Sequence, residues 1–190
     1  MEIEIIDDLL NIEEQNYIES VLTDPYFPWY LSEKESTVNG NIDNNLNIKN
    51  CLEYLQFVHV VDKFNNEENT TFKNSDVDLI DYLIQKIRER TNIKVNKVIR
   101  SKINLQTQHS NNKTGHHNTP HKDMIRDHKV LLYTVNENDG STYFFDDNYN
   151  VKKEIQSKKG RLIMFDGKTF HAGTHPLNSK LRLMINIDFE

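Results

Sequence analysis

The spacing of apolar residues changes partway along the chain, and this change limits the folds that the chain can adopt. Before about residue 95, the clearest segment has apolar residues three and four positions apart, which predicts a helix lying on a core with one face. That apolar stripe consists of Leu79, Ile80, Leu83, Ile84 and Ile87. After residue 95 the apolar residues alternate, which predicts short strands separated by Asn, Asp and Gly turns. The predicted strands are 97–107, 129–135, 141–146, 151–156, 161–165 and 181–189.

The first 95 residues are predicted to contain two helices and two strands. Residues 2–6 alternate in polarity and predict a short strand, and residues 53–62 are rich in aromatic and β-branched side chains, which favour a second one. Asn11, followed three positions later by Glu14, has the pattern of a capping box and marks the start of the first helix. Ser75 is the expected N-cap of the second helix. Polar connections are expected at 33–50 and 63–74.

Helices followed by many short strands favour an α+β fold class, with the N-terminal helices packed on one sheet of a β-sandwich or jelly roll. A chain of 190 residues lies within the usual range for one domain. We therefore expect a single domain, in which the helices and strands of 1–95 support a β-barrel core formed by 96–190.

Composition excludes several classes of protein. The formal net charge of −6 argues against binding to nucleic-acid phosphates, and no apolar run is long enough to cross a bilayer. Cys51 is the only cysteine, which excludes an internal disulfide and a zinc site built from paired cysteines. The acidic first residues do not have the basic character of a secretory signal, so we expect a cytoplasmic protein. A bound metal would need His and carboxylate ligands.

A His-x-Asp pair provides two such ligands. His121 and Asp123 point to the same side of an extended segment, because side chains alternate along a strand. The pair is weak evidence alone, and its context carries the interpretation: His171 follows the strand at 161–165 and can complete a triad. Two imidazoles and one carboxylate leave metal positions open, as in non-haem Fe(II) oxygenases, whereas a structural zinc site is closed by four ligands. His175 is the alternative third ligand, but Gly173 and Pro176 argue against it.

The last predicted strand offers a cation for an acidic ligand. Its apolar face should pack against the helices, so that its polar face looks into the barrel. The apolar face comprises Leu181, Leu183, Ile185, Ile187 and Phe189, and the polar face comprises Arg182, Met184, Asn186 and Asp188. A buried guanidinium is costly without an anionic partner, and a dicarboxylate would satisfy Arg182 through paired hydrogen bonds.

Four segments in the second half together resemble the Fe(II)/2-oxoglutarate-dependent oxygenases of the prolyl-hydroxylase-like group, especially small phage-encoded members. The resemblance covers roughly residues 98–190. The segments are HKD at 121–123, LLYTVNENDGSTYFF at 131–145, KKGRLIMFDGKTFHAG at 158–173 and RLMINIDF at 182–189, in the order that the family shows.

The resemblance implies a double-stranded β-helix (jelly roll) and a role for each matching residue. Fe(II) would be bound by His121, Asp123 and His171, and 2-oxoglutarate would form a salt bridge with Arg182. The other residues implied near the cosubstrate are Leu132, Thr142 and Asn186, with Asn104, Tyr133 and Thr134 as further candidates. The chain departs from the family pattern at Tyr133-Thr134, where many relatives have two adjacent tyrosines, the second of which reaches 2-oxoglutarate.

The activity implied is that of a dioxygenase. It would use O2 and 2-oxoglutarate to hydroxylate a C–H bond of a protein or peptide side chain, or of an amino acid, with formation of succinate and CO2. The location would be the host cytoplasm if the chain is phage-encoded. The alternatives are an AlkB-type nucleic-acid demethylase, whose relatives carry an Arg-x-Asn ending, and a non-catalytic viral binding or structural protein that retains the barrel.

Several polar residues near the predicted site have two interpretations. Arg100, Lys102 and Asn104 alternate along the strand at 97–107, and they either line the mouth of the cavity or face solvent. The histidines that precede the triad in a polar loop are either solvated or in contact with substrate; they are His109, His116 and His117. A basic cluster on a predicted hairpin indicates a solvated edge rather than a nucleic-acid surface; it comprises Lys152, Lys153, Lys158, Lys159 and Arg161.

Overall fold

In a computed structural model of the chain, the described residues are 2–32, 50–52 and 54–190. They form two helices, α1 (Ile12–Leu22) and α2 (Leu79–Arg90). The strands are β1 (Ile3–Ile6), β2 (Tyr30–Ser32), β3 (Gln56–Asn65), β4 (Thr70–Lys73), β5 (Val98–Thr107), β6 (Lys129–Thr134), β7 (Ser141–Phe145), β8 (Val151–Gln156), β9 (Leu162–Asp166), β10 (His171–Gly173) and β11 (Leu181–Phe189). The loop expected at 33–50 lies outside the described residues except for Asn50.

The strands form a large and a small antiparallel sheet. The large sheet has eight strands in the order β1-β9-β6-β11-β5-β3-β2, with β4 paired to β3. The small sheet has the order β10-β7-β8. Strand β11 pairs along its length with β5 on one side and with β6 on the other. The α+β expectation is therefore confirmed in its coarser form, as a large antiparallel sheet accompanied by two helices.

The alternation along β11 divides the interior into two parts. Its odd-numbered residues from Leu183 to Phe189 join an apolar cluster that also contains buried residues of α1 and α2. On the opposite face, Met184 joins a second cluster with Phe144 and Ile155 of the small sheet. The polar residues predicted for this face therefore lie between the two sheets.

The helix starts follow different local chemistry. At α1 the predicted capping box is confirmed, since Asn11 Oδ1 accepts from the Glu14 backbone and the Glu14 carboxylate accepts from the Asn11 backbone, both at 2.9 Å. At α2 the expected cap at Ser75 is wrong. The helix begins after Asp78, and Ser75 Oγ instead lies 2.7 Å from His59 Nε2.

Two other expectations need correction. Residues 63–74 are not only a polar connection, because β3 continues to Asn65 and pairs with β4 in a hairpin. Strand β10 was not predicted, since three residues are too few to show a period of two. In contrast, the strands predicted at 151–156 and 181–189 have the observed bounds. Neither described helix has the length and apolar character needed to cross a membrane.

The apolar face of β11, which packs in the cluster with the helices, should contribute strongly to the stability of the fold. Ile185 is fully buried, and Ile185→Ala is expected to lower the free energy of unfolding by about 2–5 kcal/mol through lost burial and a residual cavity. Ile125 is 79% exposed, so the same substitution there should change the free energy by less than about 0.5 kcal/mol. Urea denaturation followed by circular dichroism measures both; equal effects would show that β11 does not contribute to the core as described.

Candidate functional site

Two histidines from distant parts of the sequence are held side by side by a backbone bridge. His121 precedes β6 and His171 begins β10. Each donates its backbone N–H to the carbonyl of the other, at 2.9 and 3.0 Å. Their imidazole rings are therefore adjacent, with centroids 4.7 Å apart, and both side chains are buried.

Backbone carbonyls fix the tautomer of both rings. The Nδ1 atom of His121 lies 3.0 Å from the Thr119 carbonyl, and that of His171 lies 3.1 Å from the Thr169 carbonyl. A carbonyl oxygen can only accept a hydrogen bond, so Nδ1 must carry the proton in each ring. The Nε2 atoms then carry lone pairs, which is the state in which imidazole binds a metal.

A buried carboxylate completes the group. Asp123 Oδ2 lies 3.3 Å from His171 Nε2 and accepts from Asn186 Nδ2 at 3.2 Å. The ligand atoms of His121, Asp123 and His171 all lie within 4.8 Å of one another. The structure thus brings together the three residues that the sequence singled out as metal ligands. His175, the alternative, is outside this group, since its Nδ1 atom lies 2.8 Å from the Thr107 carbonyl.

Arg100 holds the other oxygen of this carboxylate and links it to a second acid. Its Nη2 donates to Asp123 Oδ1 at 2.5 Å, and its Nε donates to Asp188 Oδ2 at 2.6 Å. Lys102 Nζ lies farther away, 3.9 Å from Asp123 Oδ1. One guanidinium therefore bridges two carboxylates that both lie in the interior.

The two carboxylates differ in their pKa. Burial opposes the ionisation of Asp123, but the charge of Arg100 outweighs it and holds the pKa of Asp123 well below its usual value. Burial and the negative charge of Asp123 raise the pKa of Asp188 to about 6. Asp123 is consequently ionised at neutral pH, which is the form that binds a metal.

A narrow cavity extends from the two histidines to Arg182, and we call it the central cavity. Its lining comprises Lys102, Asn104, Gln106, His121, Leu132, Thr142, His171, Gly173, Arg182, Met184 and Asn186. Two of the three candidate metal ligands and the arginine predicted to bind 2-oxoglutarate therefore border the same space.

Arg182 is buried, and three of its hydrogen-bond partners among the described residues are neutral. It donates to Gln106 Oε1 at 2.7 Å, to Thr142 Oγ1 at 2.9 Å and to Ser157 Oγ at 3.2 Å. Gly140 makes room for it, because a Cβ at this position would lie 2.5 Å from Arg182 Cδ. The guanidinium is thus fixed with a defined orientation at the far end of the central cavity.

Two carboxamides in the cavity have an oxygen without a hydrogen-bond partner among the described residues. These atoms are Oδ1 of Asn104 on β5 and Oδ1 of Asn186 on β11, and both are buried. Buried polar atoms usually have a partner, so their position indicates where a polar ligand can bind. The alternating residues of β5 had two interpretations, and Lys102 and Asn104 line the cavity rather than face solvent.

Of the residues predicted near the cosubstrate on β6 and β7, some line the central cavity and others do not. Leu132 and Thr142 line the central cavity, as the resemblance implied. Tyr133 does not, since its side chain belongs to the apolar cluster that includes the helices, and burial raises its pKa. Thr134 lies on the same face of β6 as Leu132, with its hydroxyl buried, but it is not among the described residues that line the cavity. Tyr133 therefore faces away from the cavity, whereas Thr134 lies on the cavity side of β6, opposite Met184 on β11.

The histidines of the polar loop neither join the group of candidate metal ligands nor line the central cavity. His109 stacks on Tyr54 with ring centroids 3.9 Å apart, and His117 packs against Phe145 at 4.8 Å. The Nδ1 atom of His116 accepts from the Lys113 backbone at 3.2 Å. These contacts are local to the loop and its neighbours.

Three residues with contacts at the site were not predicted. Gln106 continues the alternation of polar residues along β5, so an extension of that pattern could have identified it. Ser157 and Gly140 carry no such signal, because their roles depend on the approach of Arg182 from β11. Asp188 was assigned to the polar face of β11, but its pairing with Arg100 was not foreseen.

The sequence comparisons find no relative. No protein-family model matches the chain, and no curated protein matches it.

Solved structures are similar over nearly the whole chain. A 2OG-Fe(II) oxygenase family oxidoreductase from Burkholderia pseudomallei is 9% identical, with a TM-score of 0.68 over 99% of this chain and 85% of that chain. The viral collagen prolyl hydroxylase of Paramecium Bursaria Chlorella virus-1, in complex with 2OG, is 17% identical, with a TM-score of 0.54 over 98% and 94%. A Trichoplax adhaerens prolyl hydroxylase, in complex with a hypoxia inducible factor oxygen degradation domain peptide fragment, is 13% identical, with a TM-score of 0.57 over 98% and 82%. At these identities the likeness establishes the fold, and the chain has the fold of these oxygenases and hydroxylases.

The geometry makes a specific prediction about metal binding. His171→Ala should weaken the binding of Mn(II) by more than the roughly 10–100-fold that is typical of losing an outer-shell partner, because a ligand atom is removed. His175→Ala removes a buried histidine of the same segment and should leave the affinity within about threefold of the original chain, since His175 lies outside the group. Mn(II) titration monitored by electron paramagnetic resonance measures both. A larger loss of Mn(II) affinity in His175→Ala than in His171→Ala would make His175 the third ligand instead.

Proposed function

We propose that the chain is an Fe(II)- and 2-oxoglutarate-dependent dioxygenase that hydroxylates a C–H bond of a protein or peptide side chain, or of an amino acid. The observation that carries the proposal is the central cavity, which joins the Nε2 side of His121 and His171 to the buried guanidinium of Arg182. A metal-binding group and a carboxylate-binding group that face one space are what a chelating 2-oxo acid requires.

The donor set fits Fe(II). Two neutral imidazoles and one ionised carboxylate are the ligands of the 2-His-1-carboxylate arrangement of non-haem iron oxygenases. The group contains three residues, and no fourth His, Cys, Asp or Glu joins it within the described parts of the chain. Three protein ligands leave coordination positions for a cosubstrate and dioxygen, whereas a structural site would be closed.

The far end of the cavity fits a carboxylate. The hydrogen bonds of Arg182 to Gln106 and Thr142 are to neutral acceptors, and a carboxylate would replace them with stronger charge-assisted ones. The cavity has an open volume of about 30 Å³, so a dicarboxylate must displace these side chains from its centre. The amides of Asn104 and Asn186 offer further polar contacts.

The residues of the chain would bind and orient the reactants, while the cofactor carries the chemistry. Bound Fe(II) with O2 would supply the oxidative decarboxylation of 2-oxoglutarate to succinate and CO2 and the hydroxylation of the substrate. Arg182 would set the direction of the cosubstrate in the cavity. Leu132 and Met184 would keep its wall apolar and exclude water. Arg100 would hold Asp123 ionised and in a fixed orientation.

The finer architecture is part of the same proposal. The large and small sheets would form the two sides of a jelly roll in a single domain, with residues 96–190 as its barrel core. Residues 1–95 would support the barrel from outside. The apolar cluster shared by α1, α2 and the odd-numbered residues of β11 is consistent with helices that cover one sheet.

A wider cleft beside the metal-binding group is the proposed substrate site, and we call it the outer cleft. It has a volume of about 760 Å³ and borders Asp123. Its walls combine apolar side chains, cations and carboxamides, a mixture that suits a peptide with its alternating backbone donors and acceptors. The lining comprises Val60, Lys63, Phe64, Asn66, Asn69, Asn74, Arg100, Asp123, Met124, Ile125 and Arg126. The peptide complex of the Trichoplax hydroxylase supports a peptide substrate by analogy.

Cosubstrate binding can be tested without a known substrate. Fe(II) and 2-oxoglutarate, added without oxygen, should give a weak charge-transfer absorption in the visible. His171→Ala should abolish the band, and Arg182→Met should abolish it at the same 2-oxoglutarate concentration while Mn(II) binding persists. A band that survives in both variants would contradict the assignment.

The substrate class can be tested by turnover. Conversion of 2-oxoglutarate to succinate should be stimulated severalfold by a host protein or peptide fraction, because substrate binding couples decarboxylation to hydroxylation. The amino-acid and nucleic-acid fractions serve as comparisons, and His171→Ala serves as the inactive control. Stimulation by nucleic acid alone would favour the demethylase alternative, and a chain that binds Fe(II) and 2-oxoglutarate without stimulation by any fraction would favour a non-catalytic role.

A further inference from the structure

We propose that Lys102 is a second carboxylate anchor of the central cavity, which holds the 1-carboxylate of a 2-oxo acid beside the metal while Arg182 holds the carboxylate at the other end. This inference rests on the proposed function and deepens it. It assigns the cavity to 2-oxo dicarboxylic acids through two cations rather than one.

The strand register places the two cations at opposite ends of the cavity. On β5 and β11, Lys102 lies opposite Asn186, and Gln106 lies opposite Arg182. Four residues along a strand correspond to roughly 13 Å. The Lys102 end is the metal end, because both Lys102 and Asn186 approach the carboxylate of Asp123, at 3.9 and 3.2 Å.

The charges around Lys102 change when a metal binds. Its side chain is 13% exposed, and Asp123 is an anion close to its ammonium group. Asp123 Oδ1 already accepts from Arg100 at 2.5 Å, and a divalent cation would neutralise much of the remaining negative charge. Arg100 keeps Asp188 as a partner, at 2.6 Å. A carboxylate bound to that cation would lie within reach of the Lys102 ammonium group, in a largely buried position where the attraction between opposite charges is weakly screened.

The lining of the cavity indicates what that anion is. Lys102 and Arg182 are its two cationic residues, and no Asp or Glu is among the described residues that line it. A 2-oxo acid chelates a metal through its 1-carboxylate and 2-oxo oxygens, so its 1-carboxylate must lie at the end where Lys102 is. A dicarboxylate therefore meets a cation at each end, and a monocarboxylate meets only one.

The competing explanation is that Lys102 only orients Asp123 for the metal. The two roles predict opposite effects on metal affinity. An orienting lysine would strengthen metal binding, so that its removal would weaken it. A cation that serves a carboxylate repels the metal when no 2-oxo acid is present, so its removal should leave the Mn(II) affinity unchanged or make it tighter.

The test compares two probes on the Mn(II)-loaded protein without oxygen. 2-Oxoglutarate carries both carboxylates, and 2-oxopentanoate has the same chelating end without the far carboxylate. Binding is followed by water-proton relaxation at Mn(II), which registers weak ligands. The variants are Lys102→Met and Arg182→Met, with Lys102→Arg as the conservative change. Lys97→Met is the matched control, since Lys97 is exposed and directly precedes β5.

Lys102→Met is expected to weaken the binding of both probes by a similar factor, about tenfold or more, as for the loss of a charged hydrogen bond. Arg182→Met should weaken the binding of 2-oxoglutarate and leave the binding of 2-oxopentanoate unchanged. Lys102→Arg should restore part of the affinity, and Lys97→Met should have no effect.

Unchanged 2-oxopentanoate binding in Lys102→Met would overturn the assignment of Lys102 to the 1-carboxylate. Weaker Mn(II) binding in that variant would assign Lys102 to Asp123 instead. If the unsubstituted Mn(II) protein binds neither 2-oxo acid, the proposed function itself fails, which is a different result from a failure confined to Lys102.

Discussion

The alternation of side chains along β11 links the stability of the fold to the geometry of the site. One face of the strand contributes Leu183, Ile185 and Ile187 to the cluster that includes both helices, and the other directs Arg182 and Asn186 between the sheets. A shift of one residue in register would exchange the two faces and place a guanidinium in the apolar cluster. The register with β5 and β6 therefore positions the candidate ligand-binding residues at the same time as it buries the core.

Buried charge is the second constraint, and the two buried carboxylates have different pKa values. Arg100 lies between two carboxylates, of which Asp123 stays ionised while the pKa of Asp188 is raised to about 6. Burying ions costs free energy unless they are paired. The pairing of Asp123 with Arg100 offsets that cost and leaves Oδ2 directed towards the histidines. A surface carboxylate would be cheaper to ionise but would lack this fixed orientation.

Alternation along predicted strands was enough to select several of the candidate site residues from the sequence. His121, Asp123 and Arg182 could be predicted because each belongs to a strand-like segment whose alternation sets its direction. The alternation also located Lys102 and Asn104, although it left open whether they face solvent. Tyr133 does not face the cavity, because it follows Leu132 along β6 and the alternation directs its side chain into the opposite cluster. The roles of Ser157 and Gly140 depend on contacts over 25 and more residues, and no local pattern contains that information.

The charges of the site favour the joint binding of metal and dicarboxylate. Among the residues that the structure describes, Arg100, Lys102 and Arg182 bring three cations close to two carboxylates, Asp123 and Asp188. A divalent metal alone adds two positive charges to this group, and a 2-oxo dicarboxylate adds two negative charges. Under the proposed function, each ligand would therefore bind more favourably in the presence of the other, and by linkage the coupling free energy would be the same in both directions. If both bind the folded chain as proposed, together they should stabilise it more than the sum of their separate effects.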